Sequence, residues 1–383
     1  MRVRVAMDFS LTTEHQQVRD VARRFCINEI RPLVNVAEET ETFPVEMFRK
    51  WGEIGLFGLR YPEADGGAGM DKVADCIVRE ELSAVSQSFA TSWSAHCHLA
   101  LWPVWRAGTA EQKARYLKPG LLGKKIGAFA LSEPDTGSNI RELTTKAEKV
   151  AGGYRLRGSK LYISNAPIAN FLLVAARTKP ELTADAISIF IVDLPNPNIS
   201  ISKLKKEGIR ASETGLIHFD DVVIPEEALL GGREGTYPVI LESLNENRVG
   251  VSANAVGMAR GAFEAALNFA KTRLVSGKPI IKFQSIAHKL ADMAAEIESA
   301  RCMVMYGAWH VDNKTLDPAT AAKVKLIATE MAVRVTENAI RVLGGAGIMR
   351  EYPVGRFHRD ALVYIIGDGT AEIQRNIIAR SFG

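Results

Sequence analysis

Apolar positions in the first third of the chain recur at helical spacing. From Thr13 to about Ala110 they run through Val18, Val21, Phe25 and Ile30, and the Thr13-x-x-Gln16 start resembles a capping box. Pro32 is expected to kink or end that first helix, because proline removes a backbone donor and crowds the preceding turn. Tyr61-Pro62-Glu63-Ala64-Asp65-Gly66-Gly67 reads as a loop between helices. Near Gly123 the pattern changes to short runs rich in β-branched and aromatic residues, divided by turn signals, at 154–158, 171–175, 187–192 and 216–219. No helical period separates these runs, so they predict an antiparallel sheet or barrel rather than a doubly wound parallel sheet. After Pro238 the helical period returns and holds to the end. Ile286, Leu290, Met293, Ile297 and Val304 form one stripe; Val324, Ile327, Met331, Val335 and Val342 form another, opened by Asp317-Pro318 and closed by Gly344-Gly345. The predicted class is α+β: an N-terminal α-helical domain over 1–122, a middle antiparallel β domain over 123–235 and a C-terminal α-helical bundle over 236–383.

Composition adds exclusions. With 383 residues, 47% of them hydrophobic, the chain can bury a core for two or three subdomains. Its 48 Lys and Arg against 44 Asp and Glu give a net charge of +4, and the basic residues are scattered, which argues against a nucleic-acid partner. Cys26, Cys76, Cys97 and Cys302 lie far apart with no C-x-x-C pair, as expected for a protein of the reducing cytoplasm. No apolar run reaches the ~18 residues of a membrane span, so no membrane partner is expected. The segment containing Arg2 and Arg4 has no apolar stretch of secretory-signal length, and Met7 reads as an alternative natural start.

Two segments invite chemistry and lose it on inspection. His96-Cys97-His98 has no neighbouring His/Cys cluster to complete a metal site, so no metal is expected. Asp65-Gly66-Gly67-Ala68-Gly69 lacks the Gly-Lys-Ser/Thr of a phosphate loop and reads as a turn; a Rossmann fingerprint is missing altogether. Two others hold more. The loop at 131–139, Leu-Ser-Glu-Pro-Asp-Thr-Gly-Ser-Asn, offers hydroxyls and exposed backbone N–H groups suited to an anionic or heteroaromatic ligand. Ile366-Gly367-Asp368-Gly369-Thr370 places a carboxylate between two glycines just after a predicted helix.

Taken in order, these segments resemble the acyl-CoA dehydrogenase family over essentially the whole chain. The sequence from Phe129 to Ser138 resembles the family's first signature, and that from Gly158 to Asn165 the strand beside the flavin ring. Arg273-Leu-Val-Ser-Gly277 with Gln284, Val342-Leu-Gly-Gly-Ala-Gly347 and Gly367-Asp-Gly-Thr-Ala-Glu-Ile-Gln-Arg375 resemble three C-terminal signatures. The resemblance implies FAD as cofactor, held without a Rossmann fold at a subunit boundary of a homotetramer, an acyl-CoA substrate, and an electron-transfer flavoprotein as acceptor. It implies that Phe129, Leu131, Ser132, Tyr162 and Ser164 contact the flavin, with Tyr162 where the family commonly has Trp. Arg273 and Gln284 would reach the FAD diphosphate of a neighbouring subunit, and Arg341, Gly345, Thr370 and Glu372 would line the rest. Ser138 would sit by the CoA portion near the cofactor, and Arg248 and Gly369 on the acyl-CoA side.

The implied chemistry needs a carboxylate on the thioester Cα proton and hydrogen-bond donors on the developing enolate, with the acyl chain clamped between base and flavin. Asp368 stands where the family usually has Glu and is the expected base. Some relatives carry the catalytic Glu at the place of Asn247, which leaves Glu246 as the alternative if it turns inward. Ser276 replaces a common aromatic. The shorter base is accommodated either by a backbone shift at the flanking glycines, which keeps straight-chain substrates, or by an acyl group branched or cyclic at Cα, the reading favoured here. The competing readings are a nitroalkane-oxidase-like flavin oxidase using Asp368, and a non-catalytic FAD-binding member of the family.

Overall fold

The structure, a computed structural model, describes residues 9–383. The reading of Met7 as a start lies outside the described residues. The chain opens with α1 (Thr13–Phe25), α2 (Val34–Thr40), α3 (Glu46–Glu53), α4 (Lys72–Val85), α5 (Gln87–Ser94), α6 (Trp102–Ala107), α7 (Ala110–Gln112) and α8 (Lys118–Leu121). The first capping box lies one residue earlier than expected. Thr12 Oγ1 accepts from the His15 N–H at 3.2 Å, and His15 Nδ1 accepts from the Thr12 N–H at 3.3 Å. His15 outcompetes Gln16 because its other ring nitrogen is anchored 2.9 Å from Asp71, the residue that caps α4. At Pro32 the helix kinks without ending: a π-helical turn over Cys26–Ile30 and a 3₁₀ turn over Arg31–Leu33 lead into α2.

Seven strands follow: β1 (Gly127–Ala130), β2 (Lys146–Val150), β3 (Gly153–Ser164), β4 (Phe171–Arg177), β5 (Ile187–Asp193), β6 (Ile199–Lys203) and β7 (Thr214–Pro225). The sheet order is β1-β4-β2-β3-β7-β6, with β5 on the other edge of β4. Four pairings are antiparallel, as predicted; β1 joins β4 in parallel and β2 touches β4 in parallel at Lys146 and Arg177. The exception arises because β1 enters from the helical segment and leaves by a long loop, so no hairpin dictates its direction. In β4, Phe171, Leu173 and Ala175 pack into the helical core while Leu172, Val174 and Ala176 fill the sheet's own core, which explains why that strand is apolar throughout. His96 ties helix to sheet. Its ring accepts from the Gly127 N–H at 3.0 Å and lies 3.0 Å from the Gly120 carbonyl oxygen, and burial lowers its pKa to about 4.

The C-terminal bundle comprises α9 (Tyr237–Thr272), α10 (Gln284–Asp312), α11 (Pro318–Leu343), α12 (Val354–Ile366) and α13 (Ala371–Ala379). A small hairpin of β8 (Leu274–Val275) and β9 (Lys278–Pro279) links α9 to α10. Asp317 caps α11 through the Thr320 N–H at 2.9 Å, and Gly344, at φ 60°, ends it. Glycines bring α4 against α9: a Cβ on Gly257 would lie 2.4 Å from the Glu80 carbonyl oxygen, and one on Gly261 2.4 Å from that of Ala84. Ile327 leaves the predicted stripe for the surface, and Ala328 takes its place in the core.

Candidate active site

α12 ends at Ile366, and Thr370 caps α13 by accepting from the Ile373 N–H at 3.3 Å. The three residues between must reverse the chain, and Asp368 at φ 55° and Gly369 at φ 88° do so in the left-handed region. This turn leaves the Asp368 carboxylate half-exposed. Asn247 of α9 donates its Nδ2 to Asp368 Oδ2 at 3.3 Å. The neighbouring Arg248 bonds Asn245, while its own Nε has no hydrogen-bond partner among the described residues. From α11, Lys325 donates Nζ to the Gly367 carbonyl oxygen at 2.7 Å and the Gly369 carbonyl oxygen at 2.6 Å. Gln374 of α13 donates to the Gly369 oxygen at 2.8 Å. Burial pulls Arg248 below its ordinary pKa and Lys325 down to about 8, while the Asp368 charge pulls both back up. Glu246, the alternative base, is engaged elsewhere: it accepts from Arg60 at 2.8 Å.

A second cluster is built on β1 and β3. The Glu133 carboxylate is buried and accepts from the N–H groups of Thr144 at 2.6 Å and Thr145 at 2.9 Å, the Thr144 hydroxyl at 2.7 Å and Lys160 Nζ at 2.8 Å. Lys160 also donates to the Leu131 carbonyl oxygen at 2.9 Å, and the Leu161 N–H to that of Ser132 at 2.9 Å. Burial raises the Glu133 pKa, but Lys160 and the threonine donors outweigh it and hold the carboxyl at about 2. Burial lowers Lys160 to about 8 against the pull of Glu133. Just past this clamp a register shift in the β3–β7 ladder between Lys160 and Ile163 frees Tyr162, which adopts φ 61° with 70% of its surface exposed. Phe129 is buried in β1, Leu131, Ser132 and Ser164 are half-buried, and Ser138 is exposed in the following loop. An exposed ring beside hydroxyls and loop N–H groups fits a flat heteroaromatic cofactor.

The remaining predicted residues are not gathered with these within one chain. Arg273 lies exposed at the entrance to the β8–β9 hairpin, and Gln284 is the exposed first residue of α10. Arg341 is exposed and ion-paired with Glu337 at 2.6 Å, Gly345 sits in an exposed 3₁₀ turn, and Glu372 is exposed on the first turn of α13. Two contributors escape the sequence reading: Lys325 and Lys160. The available signal for Lys325 is a lysine on the same buried face as Ala321, Ala322 and Ala328.

His96 and His98 are bonded to backbone carbonyl oxygens, and among the described residues no group of three His, Cys, Asp or Glu could hold a metal ion. Among the same residues no helix is long and apolar enough to cross a membrane.

Residues 12–124, 128–222 and 235–383 match, in that order, the N-terminal, middle and C-terminal domains of acyl-CoA dehydrogenases. The chain belongs to the acyl-CoA dehydrogenase family. It is 40% identical to a probable acyl-CoA dehydrogenase of Bacillus subtilis over 98% of this chain and 99% of the relative. Butyryl-CoA dehydrogenase of Megasphaera elsdenii superposes with a TM-score of 0.95 at 34% identity, covering 98% of this chain and 100% of that one. A glutaryl-CoA dehydrogenase from Mycobacterium smegmatis in complex with FADH2 superposes with a TM-score of 0.93 at 28% identity, covering 97% and 95%. Members of this family are FAD-dependent oxidoreductases acting on acyl-CoA thioesters, and the three-part α–β–α fold is theirs.

The Glu133–Lys160 pair has a testable acid signature. Glu133 sits at about 2 in the folded protein against an ordinary 4.5, so its contribution to stability is complete above 4.5 and is lost as pH falls from there toward 2. Urea unfolding should show Glu133→Gln less stable than wild type at pH 7 by about 3–5 kcal/mol, because Lys160 stays buried without its counter-charge. That gap should narrow as pH falls through the window; a gap independent of pH would refute the pairing as the source.

Proposed function

We propose that this protein oxidises an acyl-CoA thioester to the enoyl-CoA, with Asp368 taking the α-proton. The observation that carries this reading is the half-exposed Asp368 carboxylate on its turn, faced by Asn247, Arg248 and Lys325. The Cα–H bond breaks toward Asp368, which ends protonated, and the bonding pair becomes the Cα–Cβ double bond as hydride leaves Cβ. The Gly369 N–H, which makes no hydrogen bond among the described residues, donates to the thioester oxygen and stabilises the enolate as it forms. Bound FAD supplies the acceptor for the hydride. Phe129, Leu131, Ser132, Tyr162 and Ser164 would hold its ring system, and Arg341, Gly345, Thr370 and Glu372 its remainder. Ser138 and Arg248 border the CoA side, with Ser138 also near the cofactor.

A homotetramer would bring Arg273 and Gln284 to the FAD of a neighbouring subunit. The exposed Leu274, Val275 and Phe283 beside them support this, since a hairpin so apolar is suited to burial against another chain. Family membership favours an electron-transfer flavoprotein as the acceptor, and the four unpaired cysteines favour the cytoplasm. The acyl group is branched or cyclic at Cα. Asp368 is one methylene shorter than Glu, and the adjacent Gly367 carries no side chain, so bulk at Cα is accommodated where a longer base would collide.

Anaerobic titration with acyl-CoA thioesters should bleach the flavin of wild type. Asp368→Asn should slow that reduction by ~100- to 10,000-fold, the usual loss for one general base; retention of most of the rate would remove Asp368 from the role. Arg273→Ala should release FAD and dissociate on dilution, as expected when cofactor binding and assembly are linked. Size-exclusion chromatography that finds a flavin-replete variant in the wild-type assembly would contradict the shared site. For substrate shape, Asp368→Glu should shift relative kcat/KM toward a straight-chain thioester and away from cyclohexanecarboxyl-CoA. An unchanged ratio would count against a cyclic or branched substrate.

A further inference from the structure

We propose that Lys325 is the positioning residue of the catalytic turn, fixing Asp368 through the two backbone carbonyls that flank it. This rests on Asp368 being the base. Asp368 occupies a left-handed conformation that an L-residue keeps only when its surroundings hold it there. Lys325 reaches both sides of it, with bonds of 2.7 and 2.6 Å to the Gly367 and Gly369 oxygens, in the short range of charge-assisted hydrogen bonds. Packing does not account for a lysine here. Lys325 is 1% exposed on a face shared with the fully buried Ala321, Ala322 and Ala328, where an apolar side chain would avoid the cost of burying an ammonium. Its acceptors include the carbonyl that closes α12, where the helix dipole favours a cation.

The charged and titratable groups facing Asp368 are Arg248 from α9, Lys325 from α11 and Tyr364 from α12, the last pushed up to about 12 by burial. Burial brings Lys325 down to about 8, still above neutrality, so the ammonium persists at pH 7. Lys325 therefore sets where the carboxylate lies. That acts on proton abstraction and not on the CoA portion of the substrate.

The test uses FAD-loaded Lys325→Met, which keeps the length and removes the donors, and Lys325→Gln, which keeps an amide donor. Flavin content, thermal unfolding, KM and flavin reduction are measured, together with exchange of the substrate α-hydrogen with deuterium oxide, followed by NMR on a thioester that cannot transfer hydride. The expected result is retained flavin, KM within about threefold, reduction and α-exchange both slowed about 100-fold in Lys325→Met and less in Lys325→Gln, since misplacement by about 1 Å has that scale of effect. The double variant Lys325→Met/Asp368→Asn should be no slower than Asp368→Asn alone. Single variants with wild-type α-exchange, or loss of flavin in both, overturn the positioning role. If Asp368→Asn itself keeps its rate, it is the assignment of the base that has failed.

Discussion

A base that meets substrate must be accessible, and a group that is accessible tends to move. For Asp368, the proposed base, the Gly367–Gly369 turn meets both demands by separating them: the carboxylate is half-exposed while the backbone beneath it is tied down by a buried ammonium and a buried amide. The rest of the C-terminal architecture serves that arrangement. α9 contributes Asn247 and Arg248, α11 contributes Lys325, α13 contributes Gln374, and each reaches the turn only because the helices lie close. The approach of α4 to α9 depends on Gly257 and Gly261, whose missing side chains let backbone meet backbone.

The same device recurs on the sheet side. Lys160, like Lys325, is a buried lysine whose ammonium donates to the carbonyl of a loop, here that of Leu131. The difference lies in the counter-charge. Glu133 neutralises Lys160 directly at 2.8 Å, whereas among the described residues the Lys325 ammonium is hydrogen-bonded to carbonyl oxygens and feels Asp368 at longer range. The first pair is a closed ion pair inside the sheet, while the second ammonium is spent on the backbone of the turn that carries Asp368.

Much of the site's rigidity thus comes from polar groups placed inside the protein, where hydrogen bonds are directional and water does not compete. The apolar cores supply the frame. β4 is buried on both faces, so the sheet cannot slip in register without exposing one set of side chains, and β1 and β3 keep their relation to Tyr162. At the β8–β9 hairpin, by contrast, the apolar Leu274 and Val275 are left on the surface of the single chain.

The sequence by itself determined the order of helices, strands and helices, because the periods of 3.6 and 2 are local properties of the chain. It also marked Asp368 between its glycines and the loop around Ser132, since turns and caps are written in a few adjacent residues. It placed the first cap at Thr13 rather than Thr12 because the deciding contact, His15 with Asp71, spans 56 positions. It could not tell that Ile327 faces outward while Lys325 faces in, since that choice depends on which neighbours surround α11. The contact that occupies Glu246 was likewise out of its reach: only the folded chain pairs that residue with Arg60, 186 positions away. Partnerships across long separations are settled by packing, and packing is a property of the whole chain.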